Sequence, residues 1–205
     1  QQRVALARAL APAPTVVLLD EPFSNLDAAL RQTMREEVRR ILREAHATAV
    51  FVTHDQEEAL RLADKLVIMQ DGKILQSGEP DHVYRYPNSW DVAHFLGEMN
   101  VIPGVSDGSR VETPLGSLPL AADAVGAVEV MLRPEALEVV ADGDGEAVVT
   151  DVRYYGFYRL LDVRHGQDLD LKVRTWSQSD LRPGDRVRVQ VQGAAVTLPS
   201  GARAT

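Results

Sequence analysis

With 205 residues the chain is long enough for two small domains with separate cores. Its 45% hydrophobic and 25% charged content excludes a mainly disordered or fibrous protein, and no apolar run approaches the ~18 residues of a spanning helix, so a soluble chain is expected. The absence of cysteine removes disulfides, thiolate metal sites and a cysteine nucleophile, and the net charge of −8 divides as 11 basic against 14 acidic residues in 1–97 and 11 against 16 in 98–205. Neither half has the basic excess that phosphate-backbone binding draws on, so no nucleic-acid partner is expected.

The chain opens with Gln1-Gln2-Arg3 running directly into Val4-Ala5-Leu6-Ala7-Arg8-Ala9-Leu10, a helical stretch with no capping residue and no Met before it. That reads as a start inside a helix, and hence as the C-terminal portion of something longer. Pro12 and Pro14 end the run. Val16-Val17-Leu18-Leu19 then has the continuous apolar pattern of a strand buried on both faces, and it closes on Asp20-Glu21-Pro22. From Leu26, apolar residues at Leu30, Met34, Val38, Ile41, Leu42 and Ala45 make one stripe of a long amphipathic helix. The interleaved Arg and Glu from Arg31 to Glu44 read as a solvated face with i,i+4 pairs.

Ala49-Val50-Phe51-Val52 repeats the buried-strand signature. Asp55 and Glu58 have capping-box spacing and predict a helix through Ala59 and Leu62. Two strands follow, Lys65 to Met69 and Lys73 to Gln76, around the turn pair Asp71-Gly72, with short helices starting near Pro80 and Ser89. Strands alternating with helices argue for a parallel α/β sheet in residues 1–97.

Between Gly97 and Gly104 the style changes, and 98–205 reads as a second domain of Gly- and Pro-punctuated strands. These are Val128 to Leu132, Ala147 to Val152, Tyr158 to Arg164, Leu169 to Arg174 and Val187 to Val191, with turns at His165-Gly166 and Pro183-Gly184. Their number and spacing predict a small closed or Greek-key β-barrel. Tyr154, Tyr155, Phe157 and Tyr158 could stack bases on such a barrel, but the negative charge of this half favours packing in its core or in an interface.

Two acids at the end of a buried strand, Asp20 and Glu21, stand where an open α/β sheet places ligand chemistry. Alone they would fit a loop charge equally well. The sequel is more telling: Ser24-Asn25-Leu26-Asp27 follows at once, and the second strand ends in Thr53-His54-Asp55. His46, His82, His94 and His165 have no such setting and read as structural or exposed.

In these motifs the chain resembles the ATP-binding subunits of ABC transporters. Gln1 to Leu10 is similar to the helix after that family's signature loop, Leu18-Leu19-Asp20-Glu21-Pro22 to its Walker B strand, Ser24 to Asp27 to its D-loop and His54 to its switch histidine. The resemblance implies an α/β, partial P-loop NTPase (ABC ATPase) domain at 1–97, followed by a small all-β OB-like regulatory barrel of the TOBE kind at 98–205. It implies ATP and Mg²⁺, with Asp20 holding the metal beside the phosphates and Glu21 as catalytic base for the attacking water. Ser24 and Asp27 would belong to the nucleotide site, Asp27 linking two composite sites across a subunit interface, and His54 would contact the γ-phosphate. Residue type is consistent with these roles, since phosphoryl transfer is mostly positioning and charge neutralisation and Mg²⁺ prefers oxygen ligands.

The resemblance further implies a homodimer of ATPase subunits, transmembrane permease subunits, an indirect periplasmic or extracellular solute-binding protein, and a peripheral place on the cytoplasmic face of the inner membrane. No Gly-x-x-x-x-Gly-Lys-Ser/Thr and no glutamine-bearing loop occur in the sequence, and the signature's Ser-Gly-Gly would precede Gln1. Two expectations follow: these residues alone do not hydrolyse ATP, and loss of the central phosphate-loop strand leaves neighbouring strands unpartnered or one sheet face uncovered.

Met131-Leu132-Arg133-Pro134-Glu135, Val152 to Gly156 and Leu181 to Asp185 resemble the C-terminal barrel of importer ATPases for iron(III), polyamines, sulfate, sugars or phosphonates. The stretches Val101 to Gly104 and Thr113 to Pro119 look most like the iron(III) branch. Two rival readings are an ABC ATPase of DNA repair or translation, against which the barrel and the acidic charge argue, and a regulatory or dimerisation fragment without catalytic activity.

Overall fold

The computed structural model describes residues 2–198, which form two compact units dividing between Arg85 and Tyr86. In the first unit, helix α1 (Gln2–Leu10) precedes strand β1 (Val16–Asp20), helix α2 (Ala28–Glu44) and strand β2 (Thr48–Val52). β1 and β2 pair in parallel, from Val16 opposite Thr48 to Asp20 opposite Val52. The reversal that makes this possible follows α2. His46 takes a left-handed conformation (φ 49°), its N–H reaches the Arg43 carbonyl at 3.1 Å and that of Ala47 reaches Leu42 at 3.0 Å. This is a Schellman stop with histidine in the position glycine usually fills.

Alternation along the strands sends Leu19, with Ala49 and Phe51, toward α2, where Leu6, Phe23, Met34, Val38 and Leu42 form the core, and Val17 is buried on the same side of β1. Phe23 stacks on Phe51 with ring centroids 6.4 Å apart. The opposite face is open: Val16, Leu18, Val50 and Val52 are exposed, Leu18 to 68%. The expected burial on both faces is therefore corrected. Among the described residues nothing covers the second face.

Helix α3 (Gln56–Leu62) follows β2, and the chain continues as a hairpin of β3 (Leu66–Gln70) and β4 (Lys73–Gly78) and helix α4 (Pro80–Arg85). Both turn residues, Asp71 (φ 50°) and Gly72 (φ 74°), are left-handed, as a two-residue type I′ turn requires. The capping box at α3 forms only by half. Asp55 accepts from the N–H groups of Glu57 and Glu58, but Glu58 does not reach back; it is buried against Arg35, and Thr53 Oγ1 takes the Asp55 N–H instead. Arg35 likewise departs from the expected solvated face, being 8% exposed, whereas Arg40–Glu44 is the surface i,i+4 pair anticipated.

The second unit begins at Tyr86, before the change of style near Gly97, because helix α5 (Trp90–Phe95) is fastened to the strands that follow. Arg133, from the Arg-Pro-Glu element, donates from Nη1 to the carbonyls of Ala93, Gly97 and Glu98, and Ala93 packs on Met131. A long hairpin joins β5 (Asn100–Thr113) and β6 (Gly116–Leu132). Of this hairpin only the end of β6 was legible. Pro103 and Gly104 mimic loop punctuation, yet β5 pairs on one side only, so a proline there costs no ladder bond.

A 3₁₀ turn at Pro134–Ala136 leads to β7 (Leu137–Ala141), β8 (Ala147–Tyr154), β9 (Tyr158–His165), β10 (Leu169–Trp176), β11 (Arg186–Val191) and β12 (Val196–Leu198). They form a five-stranded antiparallel sheet in the order β10-β9-β8-β11-β7 and a three-stranded one in the order β12-β6-β5. Both sheets line one core, in which Ile102, Val130, Leu161, Leu171, Val173 and Val187 are wholly or almost wholly buried. The edges of β5 and β10 are bridged by Asn100. Its Nδ2 donates to the Lys172 carbonyl at 2.8 Å while its Oδ1 accepts from the Lys172 N–H at 2.7 Å, so a side-chain amide stands in for a ladder residue. The result is a barrel-type β domain.

The aromatic cluster does not enter this core. Tyr154, Tyr155 and Phe157 are exposed at the β8–β9 turn, Tyr155 stacks on Tyr158 at 4.9 Å, and Arg174 lies over the Tyr158 ring. Among the described residues no helix is long and apolar enough to cross a membrane.

Candidate functional site

Strand β1 delivers Asp20 to the carboxyl end of the parallel pair, on the open face shared with Leu18, and the chain then turns sharply. Glu21 holds φ 43°, a left-handed conformation uncommon for a residue with a side chain. Its backbone is fixed from both sides. The Glu21 N–H bonds the Val52 carbonyl at 2.8 Å, and its own carbonyl accepts from the Ser24 N–H at 3.3 Å and the Ser24 hydroxyl at 3.0 Å. The turn aims the Glu21 carboxylate across the strand ends, where Oε1 lies 3.0 Å from His54 Nδ1.

His54 stands in the short link between β2 and α3. Thr53 Oγ1 accepts from the Asp55 N–H at 3.0 Å and donates to Glu58 Oε2 at 2.7 Å, while Asp55 caps α3. Beneath this link lies Arg35 of α2, whose Nη2 donates at 2.8 Å to both Asp55 Oδ2 and Glu58 Oε1. Buried charges persist where they are paired and hydrogen-bonded, and here two carboxylates share one guanidinium.

Of the five residues singled out in the sequence, Glu21 and His54 are brought into hydrogen-bond contact, and Asp20 adjoins them through the chain. Ser24 and Asp27 are used locally. The Ser24 hydroxyl latches the Glu21 turn, and Asp27 caps α2 by accepting the Leu30 N–H at 2.9 Å. Asp20 makes no side-chain hydrogen bond or ion pair with the described residues, and Glu21 Oε2 has no hydrogen-bond partner among them. Both oxygens can thus accept from water or a cation. No cluster of three His, Asp or Glu residues suited to a metal occurs among the described residues. A lone exposed carboxylate fits an ion such as Mg²⁺, which keeps several waters and takes one or two protein oxygens beside phosphate.

Sequence reasoning missed Arg31, Arg35 and Glu58. A signal was present: residues 31, 35, 38 and 42 recur at helical spacing on one face of α2, so two arginines share the flank of the buried stripe with Val38 and Leu42.

Residues 130–198 match the TOBE domain family. Over nearly its whole length the chain is similar to ATP-binding proteins of iron import. It is 44% identical over 207 residues to "Fe(3+) ions import ATP-binding protein FbpC 1" of Rhodococcus jostii (strain RHA1), covering 98% of this chain and 60% of that protein. It is 44% identical over 204 residues to FbpC of Pseudomonas fluorescens (strain Pf0-1), covering 95% and 58%. The chain thus spans about 60% of the length of the curated relatives it matches. The solved structure of the cytoplasmic molybdate-binding protein ModG aligns with 49% of this chain at 12% identity and a TM-score of 0.41, a likeness too distant to bear on fold or ligand. The resemblance read from the Walker B-like strand, the loop after it and the histidine agrees with these similarities, and so does the iron(III) branch read from Val101 to Gly104 and Thr113 to Pro119.

Proposed function

We propose that this chain is part of the ATP-hydrolysing, energy-coupling subunit of an ABC importer for iron(III). The observation that carries the reading is the Glu21–His54 contact at the carboxyl ends of two parallel strands, with a free carboxylate, Asp20, one residue before it. The names of the relatives support the solute class. In this reading residues 1–97 are the C-terminal part of a P-loop NTPase domain and 98–205 its regulatory barrel.

Asp20 would hold Mg²⁺, which when bound neutralises charge on the β- and γ-phosphates. Glu21 accepts a hydrogen bond from water at Oε2 and orients it, while His54, tethered through Nδ1, presents Nε2 outward as a phosphate contact. Asp27, at the start of α2, would meet a second subunit. The partners are a second copy, permease subunits and, indirectly, a solute-binding protein, with the subunit lying peripherally on the cytoplasmic face of the membrane.

The test is steady-state ATP turnover of the complete subunit carrying Glu21→Gln. Turnover should fall steeply while nucleotide binding persists, and unchanged turnover would falsify the role of Glu21. Radiolabelled iron(III) uptake, with polyamine, sulfate, phosphonate and sugar as comparison solutes, decides the cargo. A non-catalytic regulatory reading is favoured by one observation, the barrel's own closed core. It predicts, as does the absent phosphate loop, that calorimetry of these 205 residues with ATP gives no binding isotherm.

A further inference from the structure

The guanidinium groups of Arg31 and Arg35 lie between the two loops of the candidate site. Arg35 is buried and joins α2 to both ends of the His54 link, through Asp55 and Glu58. Arg31, one turn earlier, donates from Nη2 to the Leu26 carbonyl at 2.9 Å and places Nη1 3.6 Å from the same Asp55 carboxylate. The Ser24–Asp27 loop and the Thr53–Asp55 link thus share one pair of cations on one rigid helix. His54 itself is 75% exposed and has a single side-chain hydrogen bond among the described residues, so little but its backbone fixes its direction.

We infer that Arg31 and Arg35 are positioning residues: they set the direction of His54 toward Glu21 and tie it to the loop that ends at Asp27. Neither touches the reacting groups. Arg35 acts through Asp55 and Glu58, Arg31 through Leu26 and Asp55. Both bonds leave one nitrogen, Nη2, whose two N–H groups are held in the guanidinium plane at the full reach of the arginine side chain; the ammonium of the shorter lysine turns freely and carries no such fixed directions. A shift of the Ser24–Asp27 loop, such as a subunit docking on it would cause, moves the Leu26 carbonyl and with it the Arg31–Asp55 pair, so that His54 responds. This rests on the catalytic reading proposed above, with a spectroscopic test independent of it.

The experiment is ¹⁵N NMR of the His54 imidazole at fixed pH in this 205-residue chain, comparing the parent with Arg35→Lys, Glu58→Gln and Arg31→Gln. Loss of the guanidinium in Arg35→Lys should move the His54 ring resonances and weaken the Nδ1 hydrogen bond to Glu21. Glu58→Gln, which keeps shape and removes charge, should do the same by a smaller amount. Amide signals of the barrel should stay in place in every variant. If Arg35→Lys fails to fold, Glu58→Gln and Arg31→Gln carry the test. Unmoved His54 resonances in the folded variants overturn the inference.

In the complete subunit the same variants should lower kcat ~10- to 100-fold with little change in KM, as for a misplaced catalytic group. Where Glu21→Gln does abolish turnover, turnover unaffected by Arg35→Lys would also overturn it. Should Glu21→Gln leave turnover intact while Arg35→Lys still moves the His54 signals, the catalytic reading fails and the positioning role stands.

Discussion

The two units treat their β-strands in opposite ways. In the barrel both sheets turn their apolar faces onto one core, and the gap between β5 and β10 is bridged by Asn100. In the first unit a two-stranded parallel sheet is covered by α2 on one face only, leaving Leu18, Val50 and Val52 in solvent. The difference separates a region whose stability is internal from one whose proposed chemistry lies at the edge of a sheet covered on one face. Glu21 and His54 accordingly remain open to water, at 47% and 75% exposure, so their contact gains little from a low dielectric in this chain.

The largest expected effect lies on the open unit. Glu21→Gln in the complete subunit should cut ATP turnover by ~10²- to 10⁴-fold, the usual worth of a positioned general base, while leaving the barrel's unfolding transition unchanged. Steady-state kinetics and a denaturant titration together would reveal any breach of that separation.

Next come paired truncations. Leu161→Ala in the barrel core should cost about 2–5 kcal/mol, whereas Leu18→Ala on the open face should stay within about 0.5 kcal/mol. Urea melts check both, and similar costs at the two sites would mean that the face carrying Leu18 is covered in solution.

Asp27→Ala removes the α2 cap and should cost the first unit about 0.5–2 kcal/mol, with no effect on the barrel. Hydrogen exchange of the first turn of α2 would register it.

The smallest effect is electrostatic. The Arg164 hydrogen bond, with the charge of Arg164 adding to it, holds the Asp170 carboxyl below its ordinary range on the barrel surface. A carboxyl depressed on folding stabilises above its unfolded value, near 4, and the contribution fades as pH falls through the folded one. Asp170→Asn should therefore lower the barrel's Tm slightly at neutral pH and converge with the parent below about pH 4.

Legibility followed the range of the interactions involved. The Asp71-Gly72 turn, the α2 stripe, the Asp55 cap and the strand from Val187 to Val191 were readable because each is decided within a few residues. The β5–β6 hairpin was not, since Pro103 and Gly104 look like a loop until pairing with β6 leaves β5 with one free edge. Nor was β7, whose partner β11 lies some fifty residues on. Glu58 illustrates the same limit: its spacing from Asp55 announced a capping box, but a buried arginine from another helix took the carboxylate instead.

By itself, the sequence determined which residues are acids at a strand end, where helices start and that two kinds of architecture follow one another. These depend on local sterics and short-range periodicity. Only the tertiary structure decided that Glu21 turns to meet His54, that Arg35 is buried against Asp55 and Glu58 and that Asn100 bridges two barrel edges. Each of those contacts joins segments distant along the chain, and no local pattern records which partner a charged or amide group will find once apolar surfaces have packed.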